Sequence, residues 1–168
     1  MTVTGQDRAG EMGGAETFVR SESGWLVRCA YLLTGERERA LDLAQDTAIK
    51  VWRSWPRVEA ADDPRAYVAT IMTNTYRSGL RRRRLQEVPL QLLTARDEPP
   101  GESPSYEDGE AVVRALDRLP RRQRAAVVLR YWVDLETSDI AAALGCRPAT
   151  VRSLLARATT RLRAELKE

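Results

Sequence analysis

The chain has 168 residues, 43% of them hydrophobic and 30% charged: enough apolar matter for a core, and room for one ordinary domain or two small ones. It contains no histidine, which excludes Ser-His-Asp and Cys-His catalysis, histidine-ligated zinc and imidazole proton transfer. The net charge of +3 hides blocks of opposite sign: −1 over residues 1–80, +4 over Arg81–Arg84, −6 over 86–110 and +6 over 111–168. A basic C-terminal part behind an acidic spacer points to a module that binds a polyanion.

The two cysteines, Cys29 and Cys146, form no CxxC motif. Neither a disulfide framework nor a structural zinc site is expected, and a reducing, cytoplasmic setting follows. No apolar run reaches membrane-spanning length, and residues 1–14 lack the apolar centre of a signal peptide. The composition therefore describes a soluble protein that is not an enzyme, with no metal, no cofactor and no membrane insertion.

In chain order, residues 1–14 are glycine-rich and aperiodic, and are expected to form a disordered tail. Thr17 to Leu33 has helical spacing through Phe18, Trp25, Cys29 and Leu32, and stops at Gly35, a suitable C′ residue. Glu36 to Trp55 repeats Ala40, Ala44, Thr47, Val51, Trp52 and Trp55 at helical intervals, which predicts an inward stripe with Trp52 in the core. Asp62-Asp63-Pro64 opens another helix, with an Asp N-cap and proline in the first turn, and this helix can run into Arg81–Arg84. Residues 86–108 hold four of the eight prolines among acidic groups, and predict an extended, flexible linker. Gly109 to Leu119, Pro120 to Val133, Thr137 to Leu144 and Pro148 to Leu166 give four further helices. The expected fold is all-α: two small helical domains, 15–85 and 109–168, joined by that linker.

The densest short-range signal lies between Thr137 and Leu155. A helix-turn-helix pair needs a small residue where its helices touch, a glycine in the turn and an apolar anchor on the second helix. Counted from Thr137, Ala141 is fifth, Gly145 ninth and Val151 fifteenth, which meets all three demands. Thr137 is expected to cap the first helix and Pro148 to open the second. With Val151, Leu155, Ala158 and Leu162 inward, Ala149, Thr150, Arg152, Ser153 and Arg157 face out near the end that enters a major groove. An ordinary αα-corner with solvated arginines has the same spacing, and the basic charge of the block favours DNA. Arg121, Arg122 and Arg124, opening the preceding helix, would add phosphate contacts; a solvated helix face reads the same way.

The helix from Glu36 has a second face, Asp42, Gln45, Asp46, Ile49 and Arg53, polar with one apolar member. Solvated faces look like this. Asp42 and Asp46 sit one turn apart with no third ligand within reach, which argues against a metal or an acid–base pair. Aromatics interleaved with cations, Trp52, Trp55 and Arg57, then Tyr67, Asn74, Tyr76 and Arg77, suit single-stranded DNA, because bases stack on rings while cations follow the backbone. Burial in the core is the competing reading for the rings, accepted for Trp52 and open for Trp55 and Tyr76. The Arg81–Arg84 run reads as a solvated helix end or as a contact to DNA backbone.

Together these residues resemble the extracytoplasmic-function (ECF) sigma factors of bacterial RNA polymerase. Ala40-Leu-Asp-Leu-Ala-Gln-Asp-Thr-Ala-Ile-Lys-Val-Trp52 is similar to the family's polymerase-binding helix. Asp63-Pro-Arg-Ala-Tyr67 through Asn74 and the arginine run resembles the part that opens and reads the −10 element. Leu119-Pro-Arg-Arg-Gln-Arg-Ala125, Arg130-Tyr131 and Asp139-Ile-Ala-Ala-Ala-Leu-Gly145 through Ala158 resembles the part that binds the −35 element. Leu32-Leu-Thr-Gly35 with Glu87-Val-Pro-Leu90 adds a likeness to an actinobacterial, SigE-like subgroup. Leu154 and Ala156 depart from the family, which usually has arginine and often histidine there.

The resemblance implies a factor that binds core polymerase and directs it to promoters. Asp42, Gln45, Asp46, Ile49 and Arg53 would dock on the β′ clamp helices, and the β flap is a second polymerase contact. Trp55, Arg57, Tyr67, Asn74, Arg77, Arg81 and Arg82 would meet the −10 element, with a flipped base near the Trp55–Asp62 loop. Arg121, Arg122, Arg124, Ala149, Thr150, Arg152, Ser153 and Arg157 would meet the −35 element. An anti-sigma factor is the expected regulatory partner, and the linker would follow the polymerase's nucleic-acid path. The alternative is a stand-alone helix-turn-helix regulator, which would call for a dimer on palindromic half-sites.

Overall fold

The computed structural model describes residues 5–86 and 107–165, and every regular element among them is helical. Most of the expected 86–108 linker therefore lies outside the described residues. The first block holds α1 (Gly5–Ser21), α2 (Ser23–Thr34), α3 (Arg37–Arg53), α4 (Trp55–Glu59) and α5 (Pro64–Gln86). The second holds α6 (Glu107–Asp117), α7 (Arg121–Val127), a π-helical turn (Val128–Trp132), α8 (Thr137–Leu144) and α9 (Pro148–Glu165).

Several boundaries differ from the sequence expectation, each for a local reason. The glycine-rich start is helical from Gly5 onward. Gly14 belongs there because a Cβ would come within 2.8 Å of Trp55 Nε1, so the indole can lie directly on the α1 backbone. The single helix expected over Thr17–Leu33 breaks at Glu22. There the hydroxyls of Ser21 and Ser23 donate to the carbonyls of Phe18 (2.9 Å) and Arg20 (3.0 Å), competing with the helix's own ladder. At the far end Gly35 takes φ 72°, and its N–H closes α2 on the Tyr31 carbonyl at 2.8 Å.

α3 buries Ala40, Leu43, Ala44, Thr47 and Val51; the Thr47 hydroxyl donates to Leu43 O at 2.7 Å, so its burial leaves no polar group unsatisfied. α5 starts as read: Asp63 Oδ1 accepts the Ala66 N–H at 3.1 Å, ahead of Pro64 in the first turn. In the second block the Pro120–Val133 helix is regular only to Val127. It then widens into the π turn, where Val133 N–H reaches Val128 O at 3.2 Å, and it ends at Asp134, which has φ 63°.

The two blocks are not separate bodies. α2 packs against α6, α7 and the π turn, and α5 packs against α8. Leu26, Leu33, Val51 and Met72 of the first block belong to one continuous apolar core with Leu129, Ile140, Leu144 and Val151 of the second. At about 1.5–3 kcal/mol for each fully buried large aliphatic side chain, that core is the main stabilising term of the chain. Among the described residues, no helix is long and apolar enough to cross a membrane.

Candidate nucleic-acid interface

The helix-turn-helix geometry is present. Ala141 is buried where α8 meets α9, Gly145 has φ 60°, and Val151 is fully buried. The N–H groups of Gly145 and Cys146 bond Ala142 O (3.2 Å) and Ala141 O (2.9 Å), closing α8. Thr137 does not cap α8: Glu136 occupies the N-cap position, without a side-chain bond. On α9, Ala149, Arg152, Ser153 and Arg157 are exposed and Thr150 is half-buried, so the outward set is the one expected. Arg121 and Arg122 at the start of α7 are exposed as well.

Arg124 is not. The residue is 5% exposed and pairs with Asp117 at 3.1 Å, while its Nε and one terminal nitrogen lack a partner among the described residues. In this conformation Arg124 is enclosed, whereas the Arg121 and Arg122 expected beside it are displayed. One turn of helix separates Arg121 from Arg124, and the latter falls on the face that meets α2.

The polar face of α3 is fully displayed: Asp42, Gln45, Asp46, Ile49 and Arg53 are all exposed, and Ile49 shows 44% of its surface. A branched aliphatic left in water inside a charged stripe is what a docking surface offers. Trp52, read as core, is displayed, and Trp55, for which core and base stacking both stood open, is core. Trp52 is 41% exposed on the same helix, whereas Trp55 is 7% exposed, with its ring 5.5 Å from Phe18 and at 51° to it. The expected Trp55–Asp62 loop begins with α4, and that short helix turns Trp55 inward. Trp55 therefore cannot stack on a base here, and its buried indole N–H has no acceptor among the described residues.

Of the other −10 candidates, Arg57 and Asn74 are exposed, and Tyr67 is half-buried against the core. Arg77 is exposed, yet it donates from a terminal nitrogen to the Ala143 carbonyl of α8 at 2.9 Å. Arg81 and Arg82 lie on the last turns of α5.

Asn74 and Arg53 are brought together in a cleft of about 370 Å³ that also takes in Lys50, Ser54 and Ile71. Sequence reading missed Lys50, although it lies one turn before Arg53 on the same helix. Its ammonium donates to Thr75 Oγ1 at 2.9 Å, which ties α3 to α5 at the cleft. A larger cleft of about 970 Å³ opens between the blocks, and the large apolar groups exposed there are Val27, Leu41, Val112, Tyr131 and Trp132. Nothing at the sequence level marked it, because its walls come from α2, α3, α6 and the π turn. Of the thiols, Cys29 is buried and desolvation pushes it up to about 12, while Cys146 is half-buried. Among the described residues no cluster of His, Cys, Asp or Glu is arranged to hold a metal.

Comparison with known proteins agrees with this geometry. The Sigma-70 region 2 family model matches residues 18–97, and the Sigma-70 region 4 model matches 109–162. The chain is 35% identical to the RNA polymerase sigma-E factor of Streptomyces coelicolor over 94% of its own length and 88% of the relative's. It is 34% identical to the ECF RNA polymerase sigma factor SigE of Mycolicibacterium smegmatis over 96% of this chain and 64% of that one. Among solved structures it resembles the sigma factor RpoE in complex with the anti-sigma factor NepR from Bartonella quintana, with a TM-score of 0.73, 27% identity, and coverage of 90% of this chain and 96% of that one. The chain belongs to the ECF sigma factors of RNA polymerase. It is a transcription initiation factor that directs the polymerase to promoters.

Proposed function

We propose that the displayed faces divide the work of initiation. Asp42, Gln45, Asp46, Ile49 and Arg53 of α3 dock on the β′ clamp helices of core polymerase, with Ile49 as the apolar anchor among charges that set orientation. The cleft wall of Lys50 and Asn74, together with Arg57 of α4 and Arg77 of α5, meets the −10 strand: the cations follow the phosphates, and the Asn74 amide offers both a donor and an acceptor to a base edge. Tyr67, Arg81 and Arg82 extend this surface along α5. α9 enters the −35 major groove through Ala149, Thr150, Arg152, Ser153 and Arg157, while Arg121 and Arg122 hold phosphates from α7. The chain performs no chemistry of its own, and it works in the cytoplasm, where the polymerase is.

The observation that carries this reading is the exposure of two outward sets, all five residues on α3 and all but the half-buried Thr150 on α9, each on a helix whose other face is core. The apolar cleft between the blocks supports a second partner. Val27, Leu41, Val112, Tyr131 and Trp132 present enough apolar surface for the nonpolar side of an anti-sigma segment, and the solved relative RpoE was captured with such a factor. The β flap of the polymerase is the competing occupant on the Tyr131 side.

Sigma-free core polymerase transcribing fragmented genomic DNA, with and without the chain, tests the reading. Sequenced 5′ ends should collect downstream of one two-part motif only when the chain is present. Start sites that do not depend on the chain would end it.

A further inference from the structure

The outward residues of α9 differ in direction as well as in chemistry. Val151 and Ala158 are buried and mark the direction of the core. At about 100° per residue, Ala149, Ser153, Ala156 and Thr160 fall within about 30° of the opposite direction, and Arg152 and Arg157 lie about 70° to either side of it. All six are exposed. The arginines thus stand on the flanks, toward the phosphates that wall a groove, while the midline between them points at its floor. Leu154 takes no part in this face, because it is half-buried against the core. On the midline, the Thr160 hydroxyl donates to the Ala156 carbonyl at 3.0 Å, so its proton stays within the helix. Ala156 therefore offers the groove a bare methyl group. It lies about 10 Å beyond Ala149 along the same line, or about three base-pair steps, so the two alanines address different pairs.

We propose that Ala156 is a specificity-determining residue of the −35 reader: its methyl packs on the C5-methyl of one thymine and selects that base. This assignment rests on the reading of α9 as the −35 helix, and it adds a member to the set placed in the groove. Thymine is the one base that shows a methyl in the major groove, and alanine meets it without leaving a donor or an acceptor unpaired. Every other base turns a polar group toward the same point. Cytosine and adenine bring an amino donor and guanine brings two acceptors, and each would lose its water to a methyl that returns no hydrogen bond. Selection at this pair thus comes from apolar contact and from the cost of burying the wrong edge, whereas Arg152 and Arg157 on the flanks act through charge.

The test removes the two methyls one at a time, from either side of the contact. Holoenzyme assembled from sigma-free core polymerase and the full-length chain selects its element from a promoter library randomised in the upstream half. Each thymine of the selected element is then replaced by deoxyuridine, which lacks only the C5-methyl. At one thymine the replacement should weaken holoenzyme binding about three- to fivefold, the worth of one buried methyl-sized group. The same replacement should cost Ala156→Gly holoenzyme nothing further, while Ala149→Gly holoenzyme should still feel it. Glycine weakens a helix interior, so Ala156→Gln, which keeps a good helix former at this exposed position, provides a second variant. It too should lose the distinction between thymine and deoxyuridine at that pair, with helicity by circular dichroism unchanged. A selected element without thymine, a deoxyuridine series without effect, or a methyl effect that survives in Ala156→Gly and Ala156→Gln would overturn the assignment while other base changes in the element still matter. If no base change in the upstream half alters binding and Arg152→Ala does nothing, α9 is not the −35 reader, and the role of Ala156 falls with it.

Discussion

The outer faces of α3 and α9 and the seam between the blocks draw on the same residue types and use them in opposite ways. On α3 and α9, Arg53, Arg152 and Arg157 stand in solvent, each on the far side of a helix whose near side is core. At the seam, Arg77 bonds a carbonyl of the other block and Arg124 is buried against Gly35. The tryptophans show the same division, Trp52 outside and Trp55 inside, three positions apart. An arginine or a tryptophan is thus not a binding residue by type. What surrounds it decides whether it is a reader, a brace or core.

The largest effect expected from the contrast is on α3. Asp46→Arg should abolish core-polymerase binding with helicity unchanged, because a reversed charge on a docking face costs several kcal/mol, on the order of 3–5, and disturbs nothing in the free fold. Unaltered core affinity in a helical variant would remove the clamp assignment. The next effect separates the two tryptophans. Trp55→Ala should cost about 3–5 kcal/mol of stability in urea denaturation, since it empties the site between Phe18 and Gly14, whereas Trp52→Ala should stay within about 0.5 kcal/mol. The reverse order would mean that α4 turns its first residue the other way in solution.

The smallest effect is on α9. If Arg152 or Arg157 holds a phosphate, its alanine variant should lose affinity evenly across sequences and lower the salt slope by about 0.9. If it reads a guanine edge, the loss should be about 1–3 kcal/mol and confined to one base pair. A −35 duplex competing equally against wild type and both variants would leave α9 without a reading role, and the contrast with the seam would collapse.

The sequence by itself determined what depends on periodicity and local backbone chemistry. The outward sets on α3 and α9 follow from spacing, because a helix with one face in a core must show the other. Asp63-Pro64 and Gly145 mark helix ends through bonds made within a few residues, and the chemistry there is the same whatever packs around it. Trp55 and Arg124 needed the tertiary structure. Both obey their helical registers, but the register says nothing about which faces meet another helix. Trp55 is turned inward by the break at Ser54, where α3 gives way to α4, and by the missing Cβ of Gly14, far away in the chain. Arg124 is enclosed because α2 ends at a glycine that lets a guanidinium lie against its backbone. The seam and the cleft beside it join residues far apart in the chain, Arg77 and Ala143 by 66 positions, and only packing decides such contacts: no local bond or periodicity carries their signal.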